Sequence, residues 1–258
     1  VEKREPFVIY AAGGNATAIV VLDKPQSRAW YAERGKELDG FRGAEQVGFL
    51  IPSISHFEMS GGEFCGNGGR AAALLLARLT GEDTVCFSMS GCARVEARIL
   101  WTTPSDKCKA VVEGTFFDMS YQEYSVSLAD GISATVVDFG NIAHVVLAQP
   151  FRNDEAWYRA EHKRIIQAFD STKSPAVGVV WTSPTKDGVR IDPVVLVRDT
   201  DTFYYETACG SGSMAAAVVD GMEYTFVYQP SGEFILVARD GRNFSLRSRM
   251  EITYIPSA

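Results

Sequence analysis

Two segments of the chain carry the residue types and spacing for acid–base chemistry: CGNGGRAAALLLA, beginning at Cys65, and CGSGSMAAAVV, beginning at Cys209. In each, glycines that permit tight backbone are followed by an alanine-rich run that forms helix strongly. The spacing therefore predicts each cysteine at, or just before, a helix N-terminus. Unpaired backbone N–H groups and the positive end of the helix dipole favour anions there. The thiol pKa is expected to be drawn below its ordinary value of about 8.5, making a thiolate accessible. The exposed amides can also hold a carboxylate beside the sulfur.

If the two motifs face one another, a bound carboxylate lies between two helix N-termini, with one sulfur on each face of the adjacent carbon. One thiolate would then remove the α-proton while the opposite thiol delivers a proton to the other face, which is two-base racemisation. Reacting atoms within about 3–3.5 Å of each sulfur imply sulfurs roughly 7 Å apart around the substrate. Amides and dipoles would stabilise the charge that grows toward the carboxylate, a contribution that must be large with no pyridoxal Schiff base to delocalise the carbanion. A carboxylate-binding module with incidental cysteines is the non-enzymatic alternative. It predicts binding without uptake of solvent deuterium.

The remaining cysteines, Cys86, Cys92 and Cys108, lack a glycine–helix context and are expected to be small core residues. An odd total of five cysteines, without CxxC or Cys/His metal spacing, supports neither a disulfide framework nor a metal site. His56, His144 and His162 stand far apart in sequence and are expected to be ordinary structural residues.

The elements that must position the cysteines appear as an internal duplication. GNATAIVVL from Gly14 recurs as GNIAHVVL from Gly140, an offset of 126, and AWY from Ala29 recurs from Ala156, an offset of 127. VGFL from Val47 pairs with VGVV from Val177 at 130, the cysteine motifs pair at 144, and Ser90-Gly91 pairs with Ser231-Gly232 at 141. The jump between the third and fourth landmarks places an insertion within TSPTKDGVRIDPVVLVRDTDTFYYET. Each half reads as strand, amphipathic helix, paired strands, a Cys-Gly loop opening a helix, and further strands. This is an α+β pattern of two pseudo-symmetric domains, each a curved sheet or barrel around a central helix. The expected domains are 1–120 and 121–258, with the last strand, MEITYIP, returning to the first.

Composition bounds the function. The 258 residues, 46% hydrophobic and 22% charged, fit a globular chain that is neither disordered nor coiled-coil. No apolar run is long enough to span a bilayer and the start lacks a signal-peptide layout, so a cytoplasmic protein with no membrane partner is expected. A net charge of −7 without a basic stripe disfavours nucleic acid. The expected partner is a small amino-acid substrate. A homodimer is left open.

The motifs FCGNGG around Cys65, ACGSGS around Cys209, GGN ending at Asn15 and GN ending at Asn141 resemble the signatures of the diaminopimelate epimerase fold family. That family includes cofactor-independent amino-acid racemases and epimerases, and the resemblance spans nearly the whole chain. Within it, EQVGF, MSGGEFCGN, SGC, ETACGSG and QPSGEFILV are more similar to histidine racemases that supply D-histidine for staphylopine-type metallophores. The resemblance implies that Cys65 and Cys209 are the bases and that Gly66, Asn67, Gly210 and Ser211 follow them around the α-carboxylate. It also implies that Asn15 and Asn141 line the substrate. Diaminopimelate epimerases carry a Glu-Arg pair about eight residues before the second cysteine and a histidine two residues after the second asparagine. Here the corresponding stretch reads RDTDTFYYETAC, and Ala143 takes the histidine's place, with His144 one residue further on. Both departures weaken the case for a second charged amino-acid head. Diaminopimelate epimerase itself remains the alternative, along with a switch in which a cysteine pair oxidises.

For the side chain, Glu45, Glu58 and Glu206 lie near the motif landmarks, where a carboxylate would suit an imidazole. Each can equally be a solvated charge, or for Glu206 a companion of the helix dipole. Tyr204 and Tyr205 could stack on an aromatic substrate, or belong to the core.

Overall fold

The computed structural model describes residues 4–102, 107–128, 131–167 and 174–256. The first half runs β1 (Phe7–Ala11), β2 (Gly14–Val21), α1 (Arg28–Leu38), β3 (Gln46–Ile51), β4 (His56–Met59), α2 (Gly66–Thr80), β5 (Thr84–Met89), β6 (Cys92–Trp101) and β7 (Lys109–Phe116). The second runs β8 (Gln122–Ser127), β9 (Ser133–Asp138), β10 (Ile142–Leu147), α3 (Glu155–Ile166), β11 (Ala176–Pro184), β12 (Gly188–Val197), β13 (Thr202–Tyr205), α4 (Gly210–Asp220), β14 (Tyr224–Tyr228), β15 (Phe234–Asp240) and β16 (Asn243–Tyr254).

Pairing follows one rule in both stretches. β1–β2 is antiparallel, β2–β3 parallel, β3–β4 antiparallel, β4–β5 parallel and β5–β6 antiparallel. The same alternation recurs through β9–β10, β10–β11, β11–β12, β12–β14 and β14–β15. A helix lies in each parallel connection, because parallel neighbours cannot be joined by a tight turn. The insertion expected from the offsets is a lengthened β11–β12 hairpin, paired from Ala176↔Val197 out to Pro184↔Val189, plus the extra strand β13 against β12.

The helices divide by composition. Every described residue of α2 from Gly66 to Ala77, and of α4 from Gly210 to Val218, is buried. A helix apolar on all sides must be enclosed. Accordingly α2 packs against β1, β2, β5, β6 and β7, and α4 against β10, β11, β12, β14 and β15. Leu74, Leu75 and Phe64 on one side and Met214, Ala215 and Ala216 on the other belong to a single continuous core. Each fully buried Leu in it contributes about 1.5–3 kcal/mol of transfer free energy. The polar helices α1 and α3 bury narrow stripes, Tyr31, Gly35 and Leu38 in α1 and His162 and Ile165 in α3, and lie against β3 and β11.

The strand β16 joins the two stretches. It pairs with β15 and β7 and then with β1, so β1 to β7 and β16 close a ring around α2. The architecture is a mixed-sheet, barrel-like α+β fold. Among the described residues no helix is long and apolar enough to cross a membrane.

The three spare cysteines differ from expectation in one case. Cys92 is buried and Cys108 packs partly against the core, whereas Cys86 is exposed. Strand alternation explains this, since Val85 and Phe87 take the inward face of β5 and leave Cys86 outward.

Candidate active site

Both cysteines are helix N-caps with nearly identical backbone, φ −134° and ψ 108° at Cys65 and φ −135° and ψ 112° at Cys209. Each sulfur accepts the N–H of the third residue beyond it, Gly68 or Gly212, at 3.2 Å. The two helix N-termini abut. A Cβ on Gly210 would lie 2.8 Å from the Asn67 nitrogen and 2.9 Å from the Gly66 carbonyl carbon. Only glycine lets the backbones approach this closely, which accounts for the glycine after Cys209; a Cβ on Gly66 would first meet the Leu246 side chain, at 2.6 Å. The amides of a first helical turn have no partner inside the helix, so those of Gly66, Gly210 and Ser211 are available to an anion at this junction.

Both cysteines open onto one cleft, whose walls include Gln46, Ser60, Glu63, Thr200, Glu206 and Ser211. Its charged lining is acidic, Asp39, Glu63 and Glu206, with no lysine or arginine among the described lining residues. Burial raises the Glu63 carboxyl to about 7 and leaves its Oε2 without a hydrogen-bond partner. Burial raises Glu206 to about 8, with repulsion from Glu45 and Glu63 adding to it and a hydrogen bond from Cys209 opposing it.

The thiols depart from the sequence expectation. Burial, followed by the nearby Glu206 charge, pushes Cys65 up to about 12 and Cys209 well above the ordinary thiol value. The capping N–H groups act in the predicted direction but are outweighed by desolvation in this acid-lined cleft.

Of the predicted site residues, Cys65, Glu206, Cys209, Gly210 and Ser211 line the cleft, while Asn15, Glu45, Gly66 and Asn67 form the layer behind it. Asn15 takes a φ of +36°, a conformation asparagine tolerates. Its side chain donates to Glu45 at 3.0 Å and accepts from Gln46 and Asn67, each at 2.9 Å. Glu45 also accepts from the Thr207 hydroxyl at 2.7 Å, and Asn67 donates to the Ala208 carbonyl at 3.0 Å, so this layer ties the first half to the loop before Cys209. Asn141 borders the cleft without being among its described lining residues: its side-chain amide donates to the Gly62 carbonyl at 3.2 Å, and its neighbour Ile142 lines the cleft. Glu58 pairs with Arg28 at 2.5 Å and His56 at 3.1 Å and does not line the cleft. Tyr205 stacks on Phe151 with centroids 4.8 Å apart, and Tyr204 donates to Asp39 at 2.7 Å.

Sequence reasoning passed over Gln46, Glu63 and His144. Gln46 Oε1 accepts from the Cys65 thiol at 3.1 Å. Glu63 precedes Cys65 by two residues, as Glu206 precedes Cys209 by three, and that one-residue slip hid a shared acidic residue before each cysteine. His144 is fully buried, its Nε2 2.9 Å from Ser211 Oγ, and burial lowers its pKa to about 3, so it stays neutral behind Cys209.

The arrangement places two capped thiols, open helix amides and buried acids around one cleft, the parts needed for proton transfer at a carbon beside a carboxylate. Comparison with known proteins agrees. A family model described as the histidine racemase CntK N-terminal domain matches residues 11–246. A histidine racemase of Fusobacterium nucleatum subsp. nucleatum is 27% identical over 204 residues, covering 75% of this chain and 74% of its own. One from Staphylococcus aureus is 22% identical, covering 90% and 88%. A predicted epimerase from Pseudomonas aeruginosa superposes with a TM-score of 0.66 at 16% identity, covering 98% of both chains. A phenazine biosynthesis PhzF-family protein of Enterococcus faecalis shares the fold with a TM-score of 0.58 at 14% identity, covering 96% of both. The protein is an isomerase of the amino-acid racemase and epimerase class. The chain belongs to the histidine racemase family defined by that model.

Proposed function

We propose that the protein interconverts L- and D-histidine without a cofactor, using Cys65 and Cys209 as the two bases. The observation that carries this reading is the pair of N-capping cysteines on one cleft whose described charged lining is wholly acidic. The amides of Gly66, Gly210 and Ser211 hold the α-carboxylate, with Asn67 at the same junction. Glu63 and Glu206 face the α-ammonium and the imidazole, both of which can donate to a carboxylate. The positive charge that substrate brings beside these acids also lowers the proton affinity of the thiols.

In the reaction, one thiolate takes the α-hydrogen as a proton and becomes a thiol. The C–H electron pair spreads into the carboxylate held by the helix amides. The opposite thiol gives its proton to the other face of the carbon and is left as the thiolate. Racemisation of a lone stereocentre has an equilibrium constant near unity, so direction follows the consumer of D-histidine, here an opine-type metallophore assembly. We also read the chain as two pseudo-symmetric units, 1–120 and 121–258, supported by the recurring strand pairing.

The test is incubation with L-histidine in D₂O, following loss of the α-proton signal and of optical rotation, with LL-diaminopimelate in parallel. Histidine should exchange and racemise. A distal carboxylate finds no cation among the described lining residues, so diaminopimelate should not turn over. Exchange of diaminopimelate but not histidine would overturn the substrate assignment, and full activity in Cys65→Ala or Cys209→Ala would overturn the two-base mechanism.

A further inference from the structure

His144 in β10 is fully buried, and parallel pairing sets it beside Gly178 of β11. Its two ring nitrogens meet different surroundings. Nε2 is 2.9 Å from the Ser211 hydroxyl oxygen, and that oxygen is 3.6 Å from the Cys209 sulfur. Among the described residues Nδ1 has no hydrogen-bond partner, and it lies against Gly178, where a Cβ would sit 2.2 Å away. Burial keeps the ring neutral, so one nitrogen carries a proton and the other a lone pair. A proton on Nδ1 would leave a buried N–H facing the Gly178 α-carbon, whereas a proton on Nε2 has the Ser211 oxygen as its acceptor. Buried donors are left unpaired less readily than buried acceptors, which selects the Nε2–H form. The Ser211 hydroxyl hydrogen is then turned away from the ring, and the Cys209 sulfur is the other group within its reach.

The side-chain partner of Cys65 has the opposite polarity. Gln46 Nε2 donates to Asn15 Oδ1 at 2.9 Å and to Thr17 Oγ1 at 2.7 Å, so the end of the amide toward the Cys65 sulfur is the Oε1 acceptor. An acceptor suits a thiol, and a donor suits a thiolate.

We propose that His144 is a positioning residue: as its Nε2–H tautomer it aims the Ser211 hydroxyl at the Cys209 sulfur, and that hydroxyl donates to the thiolate during proton transfer. This rests on the two-cysteine reading above and deepens it. Ser211 then has two separate tasks, its backbone amide at the α-carboxylate and its hydroxyl at the base. The hydroxyl bond to sulfur is charge-assisted only while Cys209 is ionised, so it acts on the proton-transfer step rather than on substrate binding.

Two measurements on the whole chain test it. In uniformly ¹⁵N-labelled protein, long-range proton–nitrogen correlation spectra give the tautomer of the His144 ring, identified by its contacts with the Gly178 α-protons. His162 is the internal standard, since its Nε2 faces the Val177 carbonyl at 3.1 Å and must carry the proton. His144 should show the same pattern as His162, and a proton on Nδ1 would overturn the proposal. The second measurement is polarimetric kcat and KM for Ser211→Ala, which keeps the backbone amide. Its kcat should fall about tenfold with KM within about twofold, and an unchanged kcat overturns the proposal. His144→Leu should lower kcat to a similar extent in the unaltered chain and no further in the Ser211→Ala chain. His144→Gln, which can place a donor where Nε2 stood, should restore most of the loss. A merely structural His144 would lower activity equally in both backgrounds, which counts against it. If His144→Leu does not fold, the tautomer and Ser211→Ala decide. The tautomer is read without turnover, so its result is separate from failure of the racemase reading.

Discussion

The N-terminus of α2 and the N-terminus of α4 share a backbone and differ in what stands behind it. Their capping dihedrals agree within a few degrees, and both helices end on a left-handed glycine, Gly81 or Gly221. Behind α2 lie Arg70 and the amide of Gln46, whereas behind α4 lie Met214, the Glu206 carboxylate and the neutral His144–Ser211 pair. A duplicated motif thus presents two sulfurs in the same local geometry with unequal surroundings. In the proposed two-base reaction one sulfur acts as base while the other acts as acid, and the roles exchange with each turnover.

The largest effect should come from removing either sulfur. Cys65→Ala and Cys209→Ala should each lower racemisation by about 10²–10⁴-fold, measured polarimetrically, since each turnover of the proposed two-base reaction uses both groups. Next is the junction of the helices. Gly210→Ala puts a methyl against the Asn67 and Gly66 backbone, whereas in Gly66→Ala the nearest atom is the movable Leu246 side chain at 2.6 Å. Gly210→Ala should therefore cost the more activity, on the order of 10²-fold if the sulfurs shift by about an ångström. A larger loss in Gly66→Ala would show that the two sides of the junction are not packed as described.

The acids come third. Glu63→Gln and Glu206→Gln should raise the KM for histidine by about tenfold, each weakening one charged contact. They also carry a pH signature. Both carboxyls have folded-state pKa values raised above the ordinary 4.5, to about 7 and about 8. The stability they contribute is fully present below 4.5 and is lost as pH rises through the folded values. The melting temperature of the unliganded protein should fall between about pH 5 and pH 9, and should fall less in either Gln variant. An unchanged slope in both variants would place the titrating groups elsewhere. The smallest effect belongs to Glu58→Gln, outside the cleft and paired with Arg28 and His56, which should leave kcat and KM within about twofold.

The sequence determined what depends on local order along the chain. Alanine-rich segments behind glycine and cysteine could only become enclosed helices with capping thiols, and the repeated landmarks foretold the order of strands and helices and the insertion that became β13 and the long β11–β12 hairpin. Asn15, Glu45 and Asn67 were each singled out separately as substrate-binding candidates, and the structure joins them in one hydrogen-bonded layer behind the cleft. Local order could not place Asn141, whose amide bonds to Gly62, 79 residues away. Nor could it show that Glu63 and Glu206 converge, or that burial would raise the thiols the helix amides were expected to lower. Arg70 reads in the sequence as one more helix-forming residue. Only the closure of β16 over α2 makes it a buried cation held by Gly66, Asn67 and Ser248, because desolvation and hydrogen bonding depend on what surrounds a group in space, and the chain's own order does not record that.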